Sequence, residues 1–206
     1  MAVSHLEVLV EEPSMEAALR GILPGLLGNT SFEVYAHQCK EDLLAQLPGR
    51  LRGYSHFIPE DWRILVLVDR DDDECADLKN QLEQIAFESQ LSTRSSTGGT
   101  NYVVLNRIAI EELEAWYFGD WQAVRDIYPK LPASIPMRAK FRHPDQILGG
   151  TWEAFERVCQ KVGYFKGGLR KIEAATAIAP AMVSSRSTSR SFQVLRDALL
   201  EMVSQV

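Results

Sequence analysis

Residues 63–74, RILVLVDRDDDE, run from branched aliphatic side chains straight into Asp69, Asp71, Asp72 and Asp73. Four carboxylates within five residues repel one another unless a positive charge stands among them. A divalent cation with oxygen ligands is the chemistry such a cluster suits. Part of the cluster also suits the start of a helix near Glu74, because a helix N-terminus favours negative charge. That accounts for one or two aspartates and leaves the others for a metal. Asp69 and Asp71 stand two apart, so they share a face if strand geometry continues past residue 68. Two more acidic groups accompany them. Glu11 and Glu12 close the run HLEVLVEE, and Glu111, Glu112 and Glu114 follow YVVLNRIAI.

Each acidic group has an element to carry it. Residues 64–68 are continuously aliphatic, the pattern of a parallel strand covered on both faces. Residues 5–12 read as a first strand with Leu6, Val8 and Val10 on one face, 32–36 as a second, and 102–110 as a fourth. Between them the periodicity predicts helices over 14–27, 40–51 and 75–90, the first opened by Pro13, which suits a first helical turn. Strand–helix alternation of this kind predicts a mostly parallel four-stranded α/β sheet with helices on both faces and right-handed crossovers. Functional groups in such sheets gather at the carboxyl ends of the strands, and all three acidic groups sit at such ends.

The connecting segments are read from their composition. GYSHFIPEDW (residues 53–62) reads as a loop. LSTRSSTGGTN (91–101) reads as a mobile loop, and with no GK[ST] after its glycines it is not a P-loop. EELEAWYFGDWQAVRDIY (111–128) reads as one helix whose aromatics Trp116, Tyr117, Phe118 and Trp121 pack as core. From Pro129 the texture changes: four prolines and a basic bias predict a surface-wrapping stretch, then helices over 152–162, 171–182 and 192–203, with SSRSTSRS (184–191) as a solvated loop. This divides the chain into an α/β domain, 1–128, and a mainly helical, basic C-terminal extension, 129–206, packed on it.

Composition bounds the setting. The apolar fraction is 46% and the charged fraction 24%, ordinary for a globular protein. Three cysteines without a CxxC pair suit reduced thiols in a cytoplasm and exclude a disulfide framework or a zinc knuckle. The opening residues lack a basic n-region, and the apolar run is too short for a signal peptide or a membrane span. The net charge of -6 is unevenly spread: residues 1–124 carry 9 Lys+Arg against 21 Asp+Glu, and residues 125–206 carry 13 against 7. A polyanion suits the basic part while a metal offsets the acidic part.

Several segments, VEEPSMEAAL, VLVDRDDDEC, IAIEELEAWYFGDW, PDQILGGTWEAFERV and FKGGLRKIEAATAIAPAMVSSRSTSRSFQVL, together resemble the DUF4276 family of Toprim-like proteins. Such proteins occur in prokaryotes, often encoded beside an AAA- or ABC-type ATPase in defence-like loci. The resemblance spans most of the chain and implies a Toprim-like (Rossmann-like) fold related to the Toprim domains of overcoming-lysogenization-defect nucleases, topoisomerases and primases. A Toprim domain has a glutamate after its first strand and a DxD pair after its third. The matching positions are Glu11, followed by Glu16 in place of the nucleases' second acid, and Asp69 with Asp71. In such relatives these carboxylates hold one or two Mg²⁺ ions, or Mn²⁺, for phosphodiester cleavage or transfer. Asp73 and Glu111 are candidates for supporting ligands or a second ion, and Lys166, Lys171 and Arg107 for neutralising phosphate charge. Glu12 departs from the pattern: it stands where Toprim proteins usually have glycine, and either crowds a phosphate or adds a ligand. The function so implied is a Mg-dependent nuclease or phosphodiester-transfer protein acting on DNA or RNA with an ATPase partner. The alternatives are a non-catalytic binding subunit of that ATPase and a small-molecule phosphohydrolase.

Overall fold

A computed structural model describes residues 2–204. Its four strands are β1 (His5–Val10), β2 (Ser31–Ala36), β3 (Trp62–Asp69) and β4 (Val104–Ala109), all parallel in the order β2-β1-β3-β4. The helices are α1 (Pro13–Leu27), α2 (Lys40–Phe57), α3 (Cys75–Glu88), α4 (Glu114–Gly119), α5 (Trp121–Ile127), α6 (Thr151–Gln160), α7 (Lys171–Ile178) and α8 (Arg190–Ser204).

Alternate strand residues point to opposite faces, and both faces are covered. Leu6, Val8, Leu65, Leu67 and Leu105 share a core with Met15, Leu19 and Leu23 of α1, Ile178 of α7 and Phe192, Leu195 and Leu199 of α8. On the opposite face, Leu9, Ile64, Val66 and Val68 pack with Leu43, Leu47 and Leu51 of α2 and Leu78 and Leu82 of α3. Each such leucine withdrawn from water contributes about 1.5–3 kcal/mol before conformational entropy is charged against it. The first core runs from Val3 to Met202, so the C-terminal helices are built into the same core as the sheet. Because α1 lies on one face and α2 on the other, the winding reverses between β1 and β3. That gap is the topological switch point, where open parallel sheets place their ligands.

The parallel α/β sheet and its flanking helices are as the sequence predicts; several connections are not. α2 continues through residues 53–57. Leu43, Leu47, Leu51 and Tyr54 form one buried stripe at helical spacing, which carries the helix past Pro48. The Tyr54 hydroxyl donates to the buried carboxylate of Glu7 on β1. Tyr54→Phe removes that donor and is expected to lower the unfolding free energy by about 1–3 kcal/mol in urea with an unchanged slope. A midpoint equal to wild type counts against the contact.

The helix predicted over 111–128 breaks at Asp120, whose buried carboxylate accepts from Arg186 Nε and Nη2 (both 3.0 Å) and from the Val183 N–H (2.8 Å). Its aromatics Trp116, Tyr117, Phe118 and Trp121 are buried core, as expected. The segment SSRSTSRS is solvated only in part: Ser185, Arg186, Thr188 and Arg190 are exposed, but Ser187, Ser189 and Ser191 are buried. Asp145 accepts from the Ser189 and Ser191 hydroxyls (2.7 and 3.0 Å), which lets these polar groups leave water at little cost. Gly119 permits the close approach, since a Cβ there would lie 2.8 Å from Ser187 Oγ. The stretch 91–101, predicted mobile, is tied down. Thr93 is buried, its hydroxyl donates to Glu83, and the Arg94 N–H donates to Val104 O at 2.9 Å. The prolyl stretch after residue 129 follows three short 3-10 turns and is anchored by Leu131, Ile135, Phe141 and Ile147 in the core. Among the described residues, no helix is long and apolar enough to cross a membrane.

Candidate metal centre

Glu11 follows the last residue of β1, and Asp69 is the last residue of β3. Because β1 and β3 are neighbours, the two carboxylates meet at the switch point. Both have left water: Glu11 is 6% exposed and Asp69 3%. Glu11 Oε2 and Asp69 Oδ1 are buried without a hydrogen-bond partner. A third acid joins them from α4: Glu114 is 1% exposed, and its Oε2 likewise lacks a partner. A buried carboxylate oxygen with no donor is costly in either protonation state; Glu11 and Asp69 bring two such oxygens to the cleft at the switch point, while Glu114 does not line it.

The electrostatics agree. Burial, then the charge of Asp71, pushes the Glu11 carboxyl up to about 7. Burial pushes Glu114 up to about 7 as well. Asp69 is raised well above its ordinary value, first by burial and then by Glu11 and Glu114. These groups take up protons near neutrality unless a cation displaces them.

Two lysines border the acids. Lys40, at the start of α2, places Nζ 2.7 Å from Asp71 Oδ2 and 2.7 Å from Asp73 Oδ2, and donates to Arg70 O at 3.1 Å. Burial works against that ammonium, but its hydrogen bonds to Asp71 and Asp73 outweigh it and hold the pKa above the ordinary lysine value. Lys171, at the start of α7, lies 3.6 Å from Glu12 Oε1 and 5.5 Å from the Trp152 ring centroid. Together these groups line a cleft of about 280 Å³, with Glu11, Asp69 and Asp71 at its acidic side and Lys40, Lys171 and Trp152 around it.

The two acidic turns after β3 and β4 are joined. The Arg70 N–H donates to Ala109 O at 2.9 Å, and the Asp71 N–H to Glu111 O at 3.1 Å. Asp71 (φ 49°) and Glu111 (φ 61°) both occupy the left-handed region, unusual for residues with a Cβ. Strand geometry therefore does not continue past Asp69. Asp71 turns away from the pleat towards Lys40, although it still lines the cleft.

The other sequence candidates fall in different places. Glu16 lies on α1, paired with Arg20 Nε at 2.9 Å, and does not line the cleft. Asp73 is held by Lys40, and Glu111 pairs with Arg70. Asp72 is exposed, and no side chain caps α3, so helix capping does not explain the aspartates. Glu12 accepts from the Ser14 hydroxyl and faces Lys171. Lys166 is exposed and outside the cleft, and Arg107 lines a separate cavity. Glu112, in the same acidic run, is committed to α6, accepting from the Thr151 N–H and hydroxyl (2.8 and 2.7 Å) and the Trp152 N–H (2.9 Å). The sequence places Glu114 only within the acidic group after the fourth strand, without a ligand role, and does not single out Lys40. The available signal for Glu114 is its place three residues before Tyr117, on the buried stripe of a helix rather than in the turn.

Among the described residues, no group of three or more His, Cys, Asp or Glu side chains is placed so that it could hold a metal ion. The orphan oxygens of the Glu11 and Asp69 pair are hard carboxylate donors, and Mg²⁺ commonly takes one or two of these and completes its shell with water, so the donor chemistry of the pair fits such an ion.

Fold and site define an all-parallel, doubly wound α/β protein with an acidic cleft at its switch point. Residues 10–200 match the family described as Domain of unknown function (DUF4276), and the chain belongs to that family. No curated protein and no solved structure matches the chain.

Proposed function

We propose that the protein is a divalent-metal-dependent nuclease, cleaving or transferring phosphodiester bonds of DNA or RNA. The observation that carries this is the pair of buried carboxylate oxygens without donors, from Glu11 and Asp69, at the switch point. Glu11 and Asp69 would hold Mg²⁺ or Mn²⁺, with Asp71 lining the same cleft and Glu114 adding negative charge that acts on Asp69. The ion's contribution when bound is Lewis-acid polarisation of a phosphoryl oxygen.

The chain's own residues supply the rest. Lys40 fixes the turn carrying Asp71 and Asp73 through three polar contacts, which limits how far the acidic turn moves. Burial lowers the affinity of Lys171 for its proton, but the charges of Glu114 and Glu12 outweigh that, so its ammonium stays charged. At the cleft wall it offsets phosphate charge as the reaction develops. The partly exposed Trp152 beside it offers a stacking face to an unpaired base. The likeness to Toprim domains supports the phosphodiester as the bond acted on, and the basic C-terminal residues suit a polyanion.

A second reading has its own support. Lys40 gives Asp71 and Asp73 an internal cation, as a non-catalytic subunit docked on an ATPase partner would need for a stable acidic turn without an ion. Incubation of supercoiled plasmid and single-stranded RNA with the protein decides between them. The nuclease reading expects products with Mn²⁺ or Mg²⁺ and none with EDTA. No product from either substrate, with metal binding intact, favours the binding subunit. Cleavage of a chromogenic phosphodiester but of neither nucleic acid points to a small-molecule phosphohydrolase.

A further inference from the structure

A second cavity, of about 500 Å³, lies on β4 at the edge of the sheet, between α3 and the first turns of α8. Its size falls within the range of small-molecule sites, roughly 300–1,000 Å³. It is separate from the acidic cleft and opposite in character. Ile108, Ile110, Pro144 and Val194 give it aliphatic walls, and Asn106, Lys79, Arg107 and Arg190 supply its polar side.

Two of those side chains each keep one buried polar atom without a partner. Asn106 is 1% exposed, and its Nδ2 donates to Glu83 Oε1 at 3.0 Å. That bond fixes which way the amide points and leaves Oδ1 buried with no donor. Arg107 is half-buried; its Nη1 is spent on Asn106 O, and its Nε is buried without an acceptor. Among the described residues, no carboxylate lies within ion-pair distance of Arg107 or Arg190, whereas Lys79 is paired with Glu83 at 2.6 Å. Asp145, the acid in the lining, is committed to the start of α8, accepting from Ser189 Oγ and from the Ser191 N–H and hydroxyl. Arg107 is partly removed from water with no carboxylate in contact, which is costly and which an entering anion relieves; Arg190 is exposed.

Aliphatic walls suit a flat apolar body, the free Asn106 Oδ1 suits an amino group, and the unpaired arginines suit an anion. We propose that this cavity binds a nucleoside phosphate, with its base between Ile108, Ile110 and Val194, an amino group donating to Asn106 Oδ1, and its phosphate drawn to Arg107 and Arg190. The site neighbours the acidic turns, since Ile110 precedes Glu111 and Cys75 follows Glu74. It shares no residue with the metal-binding reading and does not depend on it.

Two exposed cysteines report on the two cavities: Cys75 lines this one and Cys39 the acidic cleft. The full chain is treated with N-ethylmaleimide in EDTA, and each site is followed by peptide mass spectrometry. AMP, GMP, CMP, adenosine and inorganic phosphate serve as probes. At about ten times its Kd, a bound mononucleotide slows Cys75 alkylation about tenfold and leaves Cys39 unchanged. Adenosine or phosphate alone protects far less. Arg107→Met weakens the protecting nucleotide by about tenfold or more, the usual loss for a charge-assisted hydrogen bond. Asp69→Asn leaves the protection unchanged, which separates this site from the metal cleft. The proposal is overturned if no mononucleotide slows Cys75, if Cys39 is slowed equally, or if inorganic phosphate does as well as AMP. Should Arg107→Met fail to fold, the wild-type comparisons decide alone.

Discussion

Mg²⁺ or Mn²⁺ is expected to raise the melting temperature more at about pH 8 than at about pH 5, while the metal-free protein melts lower as pH rises over the same interval. The sign follows from the three buried acids. Glu11 moves from 4.5 to about 7 and Glu114 from 4.5 to about 7, with Asp69 raised as well, so the folded state keeps protons that the unfolded chain has released. Stability from such groups is fully present below the unfolded pKa and is lost as pH climbs through the folded value. For one group the upper limit is about 3 kcal/mol. Asp69 feels the charges of both Glu11 and Glu114, so the three contributions are not independent and their sum falls short of three times that. Carboxylates with lowered values, such as Glu33 and Glu83, lose their contributions only as pH falls below the ordinary carboxyl range and stay out of this window.

A cation competes with those protons, so its binding strengthens as the carboxyls ionise. At a hundred times Kd the gain is about 2.7 kcal/mol, or about 5–10 °C for a chain of this length. Differential scanning fluorimetry across the pH series, with and without metal, measures both trends. A metal-free melting temperature that stays flat or rises with pH, or a metal shift that ignores pH, would remove Glu11 and Asp69 from the ion's ligand set.

The second large effect is expected from Asp69→Asn. The amide keeps the shape of the carboxyl and removes a charge that burial, Glu11 and Glu114 all oppose. The metal-free variant should therefore melt at the wild-type temperature or above it, most clearly near pH 8. The same change removes a ligand of the proposed ion. The metal-induced shift should disappear, and any metal-dependent cleavage should fall by at least about a hundredfold. An ordinary damaging substitution lowers stability and activity together; this one should separate them. Loss of cleavage with the metal shift intact would place Asp69 outside the ion's ligand set. Wild-type cleavage rates would refute its catalytic role outright.

The sequence by itself determined the elements and what they carry. A parallel strand buried on both faces must be aliphatic along its whole length, so residues 64–68 announce themselves, and a carboxylate at the end of such a run is visible as a break in it. Leu6, Val8 and Val10 mark β1 by the same local logic, and Glu11 follows. The Ser/Thr/Gly stretch reads as mobile and the Ser/Arg stretch as solvated because composition does not disclose partners. Glu83 and Asp145, which satisfy those hydroxyls, come from other elements.

Strand order, faces and burial were decided by the tertiary structure. The order β2-β1-β3-β4 puts Glu11 beside Asp69, although 57 residues separate them and nothing local records the adjacency. Packing then sorted the acids. Asp72 stayed in water, Asp71 and Asp73 went to Lys40, Glu111 to Arg70, Glu16 to Arg20, and Glu112 to the start of α6. Glu11, Asp69 and Glu114 lost water with carboxylate oxygens left unpaired. A side chain's charge is written in its covalent structure. What that charge costs, and what it therefore recruits, depends on solvent exclusion and on neighbours that only the folded chain assembles.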